Sequence, residues 1–353
     1  MKIGLFRGRT EWRKPLAIGC VRYKQPLYLV VLVSVSMAQA GCAQIAGLPS
    51  NTQPARAGTV VGAEGAATTV AAVNATNTTE PLPYQIERFA IPGPMAGVIA
   101  RVDLRHPGIS TKVMLADDRD PDGDGPCVGQ LETPTVAARK HDFVITLNAS
   151  FFGAPISKDV MGKKVRYFVG NCTMPVGWHV SGGKTVTKPV GDKMRAVLLV
   201  SDDGKVSIRD AVNEIPIGTR YAVSGNALVL KAGQPTSADN AGTRHPRSVV
   251  GVNADGSTLW LVAVDGRQDG YSRGASMKEL GEFMLKLGAY DALNLDGGGS
   301  TAMVVKDLRT GTFGVANSTS ELSTDGFPVR MERPIADVVG ITFAPSATLR
   351  PQK

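Results

Sequence analysis

Short apolar runs bounded by glycine, aspartate or asparagine recur through residues 84–345. Runs of this length that are rich in Val, Ile and Leu are typical of β-strands. The predicted strands are Gly97–Val102, Lys112–Leu115, Phe143–Leu147, Ala196–Val200, Ala227–Leu230, Thr258–Val264, Ala292–Leu295, Ala302–Val305 and Val338–Phe343. The pattern predicts an α+β fold, with a single mixed, largely antiparallel sheet and a few packing helices.

Two segments carry the periodicity of an amphipathic helix. In Met277–Leu287 the apolar residues recur at three- and four-residue spacing. Ser276, followed three residues later by Glu279, forms a capping box, and Gly288 ends the helix. A second helix is predicted over Thr133–Lys140.

Polar residues collect at the ends of the two strands that flank the first helix. Asp265-Gly266-Arg267 follows Thr258–Val264, and Asp296 follows Ala292–Leu295. If these strands run parallel through a helical crossover, both loops open on one edge of the sheet, where α/β units bind ligands. We therefore expect Asp265 and Asp296 to face one pocket.

Asp296 is followed by three consecutive glycines, and Ser300 and Thr301 then open another apolar run. Glycine costs backbone entropy, so a triplet between two strands requires either positive φ or a close approach to the backbone. A tight structural turn explains one glycine or two. The triplet favours close approach of a ligand, with the amides of Gly297, Gly298 and Gly299 directed at an anion.

The N-terminal 41 residues have the order of a secretory signal. A basic region precedes the apolar run Leu27–Met37, which is too short to span a bilayer, and Ala38-Gln39-Ala40 supplies a cleavage site. Cleavage after Ala40 would release a soluble protein. Cleavage after Gly41 would leave Cys42 for lipid attachment, as in bacterial lipoproteins, although Gln39 stands where such signals have an aliphatic residue. We favour the lipoprotein, placed in the periplasm or cell envelope, with soluble secretion as the alternative.

Residues 42–83 contain almost no large apolar side chains and are predicted to be a disordered tether between the signal and the domain at 84–345. Residues 346–353 form a tail. Seven basic residues against one acidic residue in the signal supply +6 of the formal charge of +8, which leaves about +2 for the remainder. The basic composition is therefore no indication of nucleic-acid binding. In an exported chain, Cys127 and Cys172 are expected to form a disulfide.

Several motifs together resemble the phosphodiester glycosidase family. They are Leu293–Thr301 (LNLDGGGST), Val264–Arg267 (VDGR), His245–Ser248 (HPRS), Asn148–Phe152 (NASFF), Ala222–Gly225 (AVSG) and Glu332-Arg333-Pro334. The animal member of that family removes N-acetylglucosamine from a sugar phosphodiester on lysosomal glycoproteins. Ala149-Ser150 replaces the glycine pair of the family's Asn-Gly-Gly-Phe-Phe, and the acidic segment Asp117–Asp124 lies outside the family pattern.

The resemblance implies an exported hydrolase that cleaves the glycosidic bond between a sugar and a phosphodiester. Its partner would be a phosphorylated glycan or sugar-1-phosphodiester, from exopolysaccharide or an envelope glycopolymer, and no cofactor is required. Arg247 and Arg267 are candidate phosphate ligands because a guanidinium can pair two phosphate oxygens. Arg333 is a weaker candidate. Structural arginines in salt bridges are the alternative for all three.

The candidate catalytic residues are Asp296, as nucleophile, general base or metal ligand, Asp265 as a second carboxylate and His245 as a proton shuttle. Each aspartate could instead cap its glycine turn, and His245 could be an ordinary loop residue. The candidate substrate-binding residues are Asn148, Phe151, Gly297, Gly298, Gly299 and Ser300. The alternatives are a strand-ending turn at Asn148 and a core position for either Phe151 or Phe152, which could both wall a sugar subsite.

The stretch Asp120–Gly125 places Asp120, Asp122 and Asp124 like the first ligands of a calcium loop. The position that should hold a bidentate glutamate is Leu131, and Glu132 comes one residue late. A solvated acidic turn is the favoured interpretation, and calcium remains a side hypothesis.

Two other functions remain open at this point. One is a metal-dependent phosphodiesterase that uses Asp296 and Asp265 as ligands. The other is a non-catalytic envelope module that binds phosphorylated glycan.

Overall fold

The fold is given by a computed structural model, which describes residues 71–72, 81–123, 125–159, 161–236, 242–323 and 329–344. The signal at 1–41, Cys42, Asp124 and the tail at 346–353 lie outside the described residues, as does most of the tether. Ala71–Ala72, within the predicted tether, pairs with Glu87 and Arg88 as a short strand. Strand pairing uses backbone groups, so it does not require the large apolar side chains that the tether lacks.

The described chain contains two α-helices and many short strands. The helices are α1 (Pro134–Lys140) and α2 (Met277–Lys286). The strands are β1 (Ala71–Ala72), β2 (Tyr84–Ile91), β3 (Met95–Asp103), β4 (Ile109–Leu115), β5 (Gly129–Gln130), β6 (Ile145–Asn148), β7 (Phe152–Gly153), β8 (Ser157–Lys158), β9 (Lys164–Val165), β10 (Cys172–Pro175), β11 (His179–Ser181), β12 (Lys184–Thr187), β13 (Ala196–Ser201), β14 (Val206–Arg209), β15 (Thr219–Gly225), β16 (Ala227–Lys231), β17 (Gln234–Pro235), β18 (Arg247–Val252), β19 (Thr258–Val264), β20 (Asp291–Asn294), β21 (Met303–Lys306), β22 (Phe313–Val315), β23 (Glu321–Leu322), β24 (Arg330–Met331) and β25 (Asp337–Phe343).

The strands form three larger sheets. An eight-stranded sheet has the order β1-β2-β3-β19-β18-β20-β16-β17, and two five-stranded sheets have the orders β12-β11-β15-β13-β14 and β22-β21-β6-β25-β4. The α+β class and the antiparallel pairing are confirmed, but the strands are divided among several sheets rather than one. The division lets the sheets share a core, in which Val98, Leu147, Leu198, Val223 and Leu293 belong to one apolar cluster.

The predicted crossover is confirmed. Strand β18 lies between β19 and β20 and is antiparallel to both, so β19 and β20 run in the same direction. Helix α2 connects them, and both partners of its capping box, Ser276 and Glu279, make the expected hydrogen bonds. Leu280 and Met284 of α2 are fully buried against the eight-stranded sheet. The loops after β19 and β20 therefore open on one edge, together with the start of β18.

The predicted disulfide between Cys127 and Cys172 is present, with Cα atoms 5.5 Å apart. It joins the segment before β5 to the first residue of β10, and these two strands also pair with each other. Within the part of the chain that the structure describes, no helix is long and apolar enough to cross a membrane.

Candidate active site

Three loops meet where β19 and β20 end and β18 begins. Pro246, one residue before β18, is the centre of this meeting point: its carbonyl accepts a hydrogen bond of 2.9 Å from the Gly298 N–H. A Cβ at Gly297 would lie 2.5 Å from the same carbonyl oxygen, and one at Gly266 would lie 2.7 Å from the Pro246 nitrogen. The His-Pro-Arg, Asp-Gly-Arg and Asp-Gly-Gly-Gly segments thus form one structural unit.

Asp296 lies at the mouth of the glycine turn and is partly accessible. Burial of the Asp296 carboxyl raises its pKa to about 6, and Ser300, Arg333 and the Gly297 N–H oppose that rise. The Gly297 N–H donates to Asp296 Oδ1 over 3.0 Å. A carboxyl with this pKa populates both protonation states near neutral pH, as a general acid or base requires.

Asn148 supports the turn that carries Asp296. It is fully buried, and its side-chain amide donates to the Asp296 carbonyl over 2.7 Å. Its Oδ1 accepts from Ser248 Oγ at 2.6 Å and from the Ala302 N–H at 3.2 Å. Both ends of the Asn148 amide are therefore used within the protein, which places this residue as a support for the turn.

The glycine triplet has a specific cause at each position. Gly298 has φ +63°, a conformation that glycine adopts without steric cost. Gly297 packs on the Pro246 carbonyl, and a Cβ at Gly299 would collide with the guanidinium of Arg333 and the carboxylate of Glu321. The Gly297 and Gly298 amides donate within the chain, so of the three amides only that of Gly299 lacks a partner among the described residues.

Arg247 and Arg267 face the turn without acidic partners in the described part of the chain. Arg247 is half-buried and donates through Nε to the Ala275 carbonyl. Burial and the neighbouring Arg267 lower the pKa of Arg247. The Arg267 guanidinium lies beside Gly298, at 3.1 Å from where a Cβ would be, and its backbone has φ +58°. A non-glycine residue in this region is uncommon, and such strain clusters at functional sites.

His245 lies beside the two arginines. Burial, Arg247 and Arg267 each lower the pKa of the His245 imidazole. All three causes favour the neutral form of the ring.

Arg333 follows β24 and packs against the glycine turn at Gly299. Its Nη2 donates to Glu321 Oε2 over 2.7 Å. Its Nε is buried without a hydrogen-bond partner. The Ser300 hydroxyl beside Asp296 is likewise buried without a well-formed hydrogen bond. Phe151 is half-buried next to Asn148 and Ser150, and its carbonyl accepts from the Val176 N–H.

Asp265 is placed differently from Asp296. It is fully buried, and its Oδ1 accepts from Asn317 Nδ2 and the Ser318 N–H, each at 2.9 Å. Oδ2 accepts from the Tyr271 hydroxyl at 2.9 Å, and burial raises the pKa of Asp265 to about 6. Asn317 also donates to the Thr301 carbonyl, so Asp265 is tied to the far side of the glycine turn.

A buried polar cluster that the sequence analysis did not predict lies behind Asp296. Asp337 accepts from Ser150 Oγ and the Ser150 N–H at 2.8 Å and contacts His179 Nδ1 at 2.8 Å. The Asp337 charge contributes to the raised pKa of Asp296. Ser150 is the residue that replaces a glycine of the family motif, and here its hydroxyl binds Asp337. The signal for the cluster was Ser150 itself, which stands two residues after β6 in place of a glycine of the family motif.

Carboxylates of the acidic turn Asp120–Gly125 accept hydrogen bonds from nearby backbone N–H groups. Asp120 Oδ1 accepts from the backbone of Asp122 and Gly123, and Asp122 Oδ2 accepts from the Cys127 N–H. Among the described His, Cys, Asp and Glu side chains, three potential ligand atoms converge only at Asp122, Cys127 and Cys172. The two sulfurs there are joined in the disulfide, so this donor set does not fit a metal ion.

Comparison with known proteins gives the family. The profile of the phosphodiester glycosidases matches residues 141–342, more than half of the chain, and it spans every loop of the site described above. The chain belongs to the phosphodiester glycosidase family. No curated protein sequence matches it.

Two solved structures are similar to this family member. The catalytic domain of zebrafish N-acetylglucosamine-1-phosphodiester alpha-N-acetylglucosaminidase, auto-inhibited by its pro-peptide, superposes with a TM-score of 0.52 at 20% identity, covering 78% of this chain and 88% of that one. A hypothetical protein from Synechocystis gives a TM-score of 0.47 at 16% identity, covering 78% of this chain and 64% of that one. The zebrafish structure supports the fold.

Proposed function

We propose that the protein hydrolyses the bond between the anomeric carbon of a sugar and a phosphodiester oxygen. The observation that carries this proposal is the pair Arg247 and Arg267, which lie together at the turn bearing Asp296 without acidic partners in the described residues. Two guanidinium groups that no carboxylate neutralises are suited to a bound phosphate dianion or diester. Membership of the family supports the same substrate class.

Asp296 is assigned as the base. A phosphodiester leaves as a phosphate monoester whose charge the arginines offset, so the leaving oxygen requires little protonation. The demanding step is attack of water on the anomeric carbon. Asp296 takes a proton from water, the water oxygen bonds to the carbon, and the carbon–oxygen bond breaks with its electron pair remaining on the phosphate.

The remaining residues support this step. Asp265 is buried and saturated with hydrogen bonds, so it holds the turn through Asn317 rather than meeting substrate. His245, beside both arginines, is available to donate a hydrogen bond through a ring N–H to a phosphate oxygen. The Gly299 N–H supplies one further donor.

We extend the proposal to the location of the enzyme and its substrate. The signal pattern at 1–41 and Cys42 support export and a lipid anchor in the cell envelope. The substrate would then be a phosphorylated exopolysaccharide or envelope glycopolymer.

The test is hydrolysis of UDP-N-acetylglucosamine and related sugar-1-phosphodiesters in oxygen-18 water. Wild type is compared with Asp296→Asn and with the control Asp291→Asn, which lies at the opposite end of β20. Label in the free sugar, lost in Asp296→Asn and kept in the control and under chelator, supports the proposal.

Two results would contradict it. Label in the phosphate contradicts the proposed bond cleavage, and together with loss of activity under chelator it assigns a metal-dependent phosphodiesterase. Saturable binding of the same compounds without turnover assigns a phosphoglycan-binding module.

A further inference from the structure

An aromatic side chain outside all of the family motifs reaches the site. Tyr167 belongs to the segment Arg166–Asn171, here named the Tyr167 loop, which connects β9 and β10. Its ring lies under Arg333, with the guanidinium carbon 4.3 Å from the ring centroid. At this distance a cation–π contact is formed. The sequence motifs predict Phe151 as a substrate-binding residue, and Tyr167 lies in none of them.

The Tyr167 loop is held firmly at its base. Asn171 donates through its side-chain amide to the carbonyls of Pro155 and Arg166, at 2.9 and 2.7 Å. The Gly170 N–H donates to the Leu131 carbonyl, and the next residue after the loop, Cys172, is in the disulfide. The loop therefore presents Tyr167 in a fixed place, at low entropic cost to binding.

Tyr167 stays accessible despite these contacts. The Phe152 ring meets it edge-on at 5.8 Å, yet Tyr167 is 39% exposed. The guanidinium covers one face of the ring, so the exposed part of Tyr167 is the apolar surface that remains beside the cation. Ligand sites combine such surfaces with a few polar groups of fixed direction.

Arg333 supplies the polar group and connects Tyr167 to the reacting centre. Only one of its terminal nitrogens, Nη2, is used by Glu321, and Nη1 has no partner in the described part of the chain. The guanidinium packs on Gly299, and its charge lowers the pKa of Asp296. Contacts therefore run from Tyr167 through Arg333 to the turn that carries Asp296.

We infer that Tyr167 and Arg333 form the subsite for the sugar ring whose anomeric carbon is attacked. Arg267 touches Gly298 and Arg333 touches the next residue, Gly299, so the two arginines contact successive positions of one turn. A sugar joined by one bond to a phosphate at Arg247 and Arg267 would pass Asp296 and reach Arg333. The sugar ring packs its C–H groups against this exposed part of Tyr167, and Arg333 Nη1, beside it, donates to a ring hydroxyl. This inference rests on the proposed function, because it needs the phosphate at the arginine pair.

The test compares Tyr167→Ala and Tyr167→Phe with Tyr290→Ala. Tyr290 is a matched control, since it is 41% exposed and immediately precedes β20, at the end away from the site. With UDP-N-acetylglucosamine, loss of the ring surface should raise KM about tenfold with a smaller change in kcat. Tyr167→Phe and Tyr290→Ala should keep the wild-type KM. An unchanged KM in Tyr167→Ala, or an equal rise in Tyr290→Ala, overturns the inference.

A binding measurement separates this inference from the proposed function. Saturation-transfer NMR on UDP-N-acetylglucosamine reports which of its protons contact the protein, whether or not it is hydrolysed. The sugar-ring signals should be strong in wild type and Tyr290→Ala and weak in Tyr167→Ala, while the nucleotide signals persist. If wild type binds without hydrolysis and shows this pattern, the subsite stands and the hydrolytic proposal fails. Sugar signals that are equal in wild type and Tyr167→Ala overturn the subsite, even where hydrolysis is observed.

Discussion

At the scale of single residues, burial and hydrogen bonding predict different roles for Asp265 and Asp296. Asp265 has no exposed surface and accepts hydrogen bonds from three residues, whereas Asp296 is partly accessible beside Arg333. Both carboxyls have a pKa raised to about 6 by burial. Only the accessible one can exchange a proton with substrate water, so the pH dependence of the reaction should report Asp296.

The first prediction is that kcat/KM rises with pH and levels off above about 6. A base must be ionised to act, and the raised pKa of Asp296 places that ionisation near 6 instead of near 3.8. Asp296→Asn should lose this rise with pH, and its kcat/KM should be lower than that of wild type by about 10²- to 10⁴-fold. Steady-state rates from pH 4.5 to 8 provide the measurement. If Asp296→Asn is active and its kcat/KM still rises with pH around 6, another group is responsible for the titration.

Gly299 is the glycine of the turn against which the ends of two charged side chains pack. A Cβ there would collide with Arg333 and Glu321, while one at Gly314 would meet nothing within 4 Å. We predict that Gly299→Ala displaces Arg333 and lowers kcat/KM more than tenfold, at a small stability cost because the ends of the Arg333 and Glu321 side chains can move. Gly314→Ala, assayed and unfolded in urea alongside it, should match wild type in activity. Full activity in Gly299→Ala would mean that the Arg333 position is unimportant.

At the scale of elements, the disulfide fixes the segment that carries the Tyr167 loop. It closes a separation of 45 residues, for which chain entropy in the unfolded state corresponds to about 4 kcal/mol. We predict that the double variant Cys127→Ser/Cys172→Ser unfolds at lower urea concentration. A reductant should lower the wild-type midpoint and leave the variant unchanged. A wild-type midpoint that is insensitive to reductant, with the disulfide shown to be reduced, would contradict the prediction.

The elements that the sequence predicted are those with a strong local signal. Thr258–Val264 is a strand with the predicted bounds, and α2 has its capping box because Ser276 and Glu279 lie within one helical turn. Strand β18 was not predicted, although it lies at the centre of the site. Its apolar run is interrupted by Gly251, whose missing side chain leaves room for Met284 of α2. That requirement comes from packing between elements, which a local pattern does not carry.

At the scale of the whole molecule, the site is assembled from segments far apart in sequence. Asp265 is bound by Asn317, 52 residues away, and Ser150 by Asp337, 187 residues away. Composition and spacing identify the glycine turn and the arginines, because each lies in one short motif. They do not identify Asn317, His179 or Tyr167, whose positions follow from how the sheets pack. The role of Arg267 at the site is a prediction that the ligand-dependent stability of the protein tests.

The Arg247–Arg267 pair should lower the stability of the free protein slightly and raise the stability of the protein with bound phosphate. Arg267 lowers the pKa of half-buried Arg247, so the two charges repel in the free protein, and Arg267 also has the uncommon φ of +58°. A bound phosphate attracts both guanidinium groups and offsets this repulsion. Binding to the native state at 100 times Kd stabilises it by about 2.7 kcal/mol.

We therefore predict that Arg267→Gln leaves the melting temperature of the free protein equal or slightly raised and removes most of its increase on adding N-acetylglucosamine 1-phosphate. Solvent screening of the exposed Arg267 keeps the first effect small, below about 1 kcal/mol. Arg309→Gln is the control, since Arg309 is exposed and paired with Asp307, and it should show the wild-type increase. An equal increase in Arg267→Gln and wild type would place the phosphate away from the arginine pair, because a ligand can stabilise the fold only through groups that it contacts more favourably in the native state.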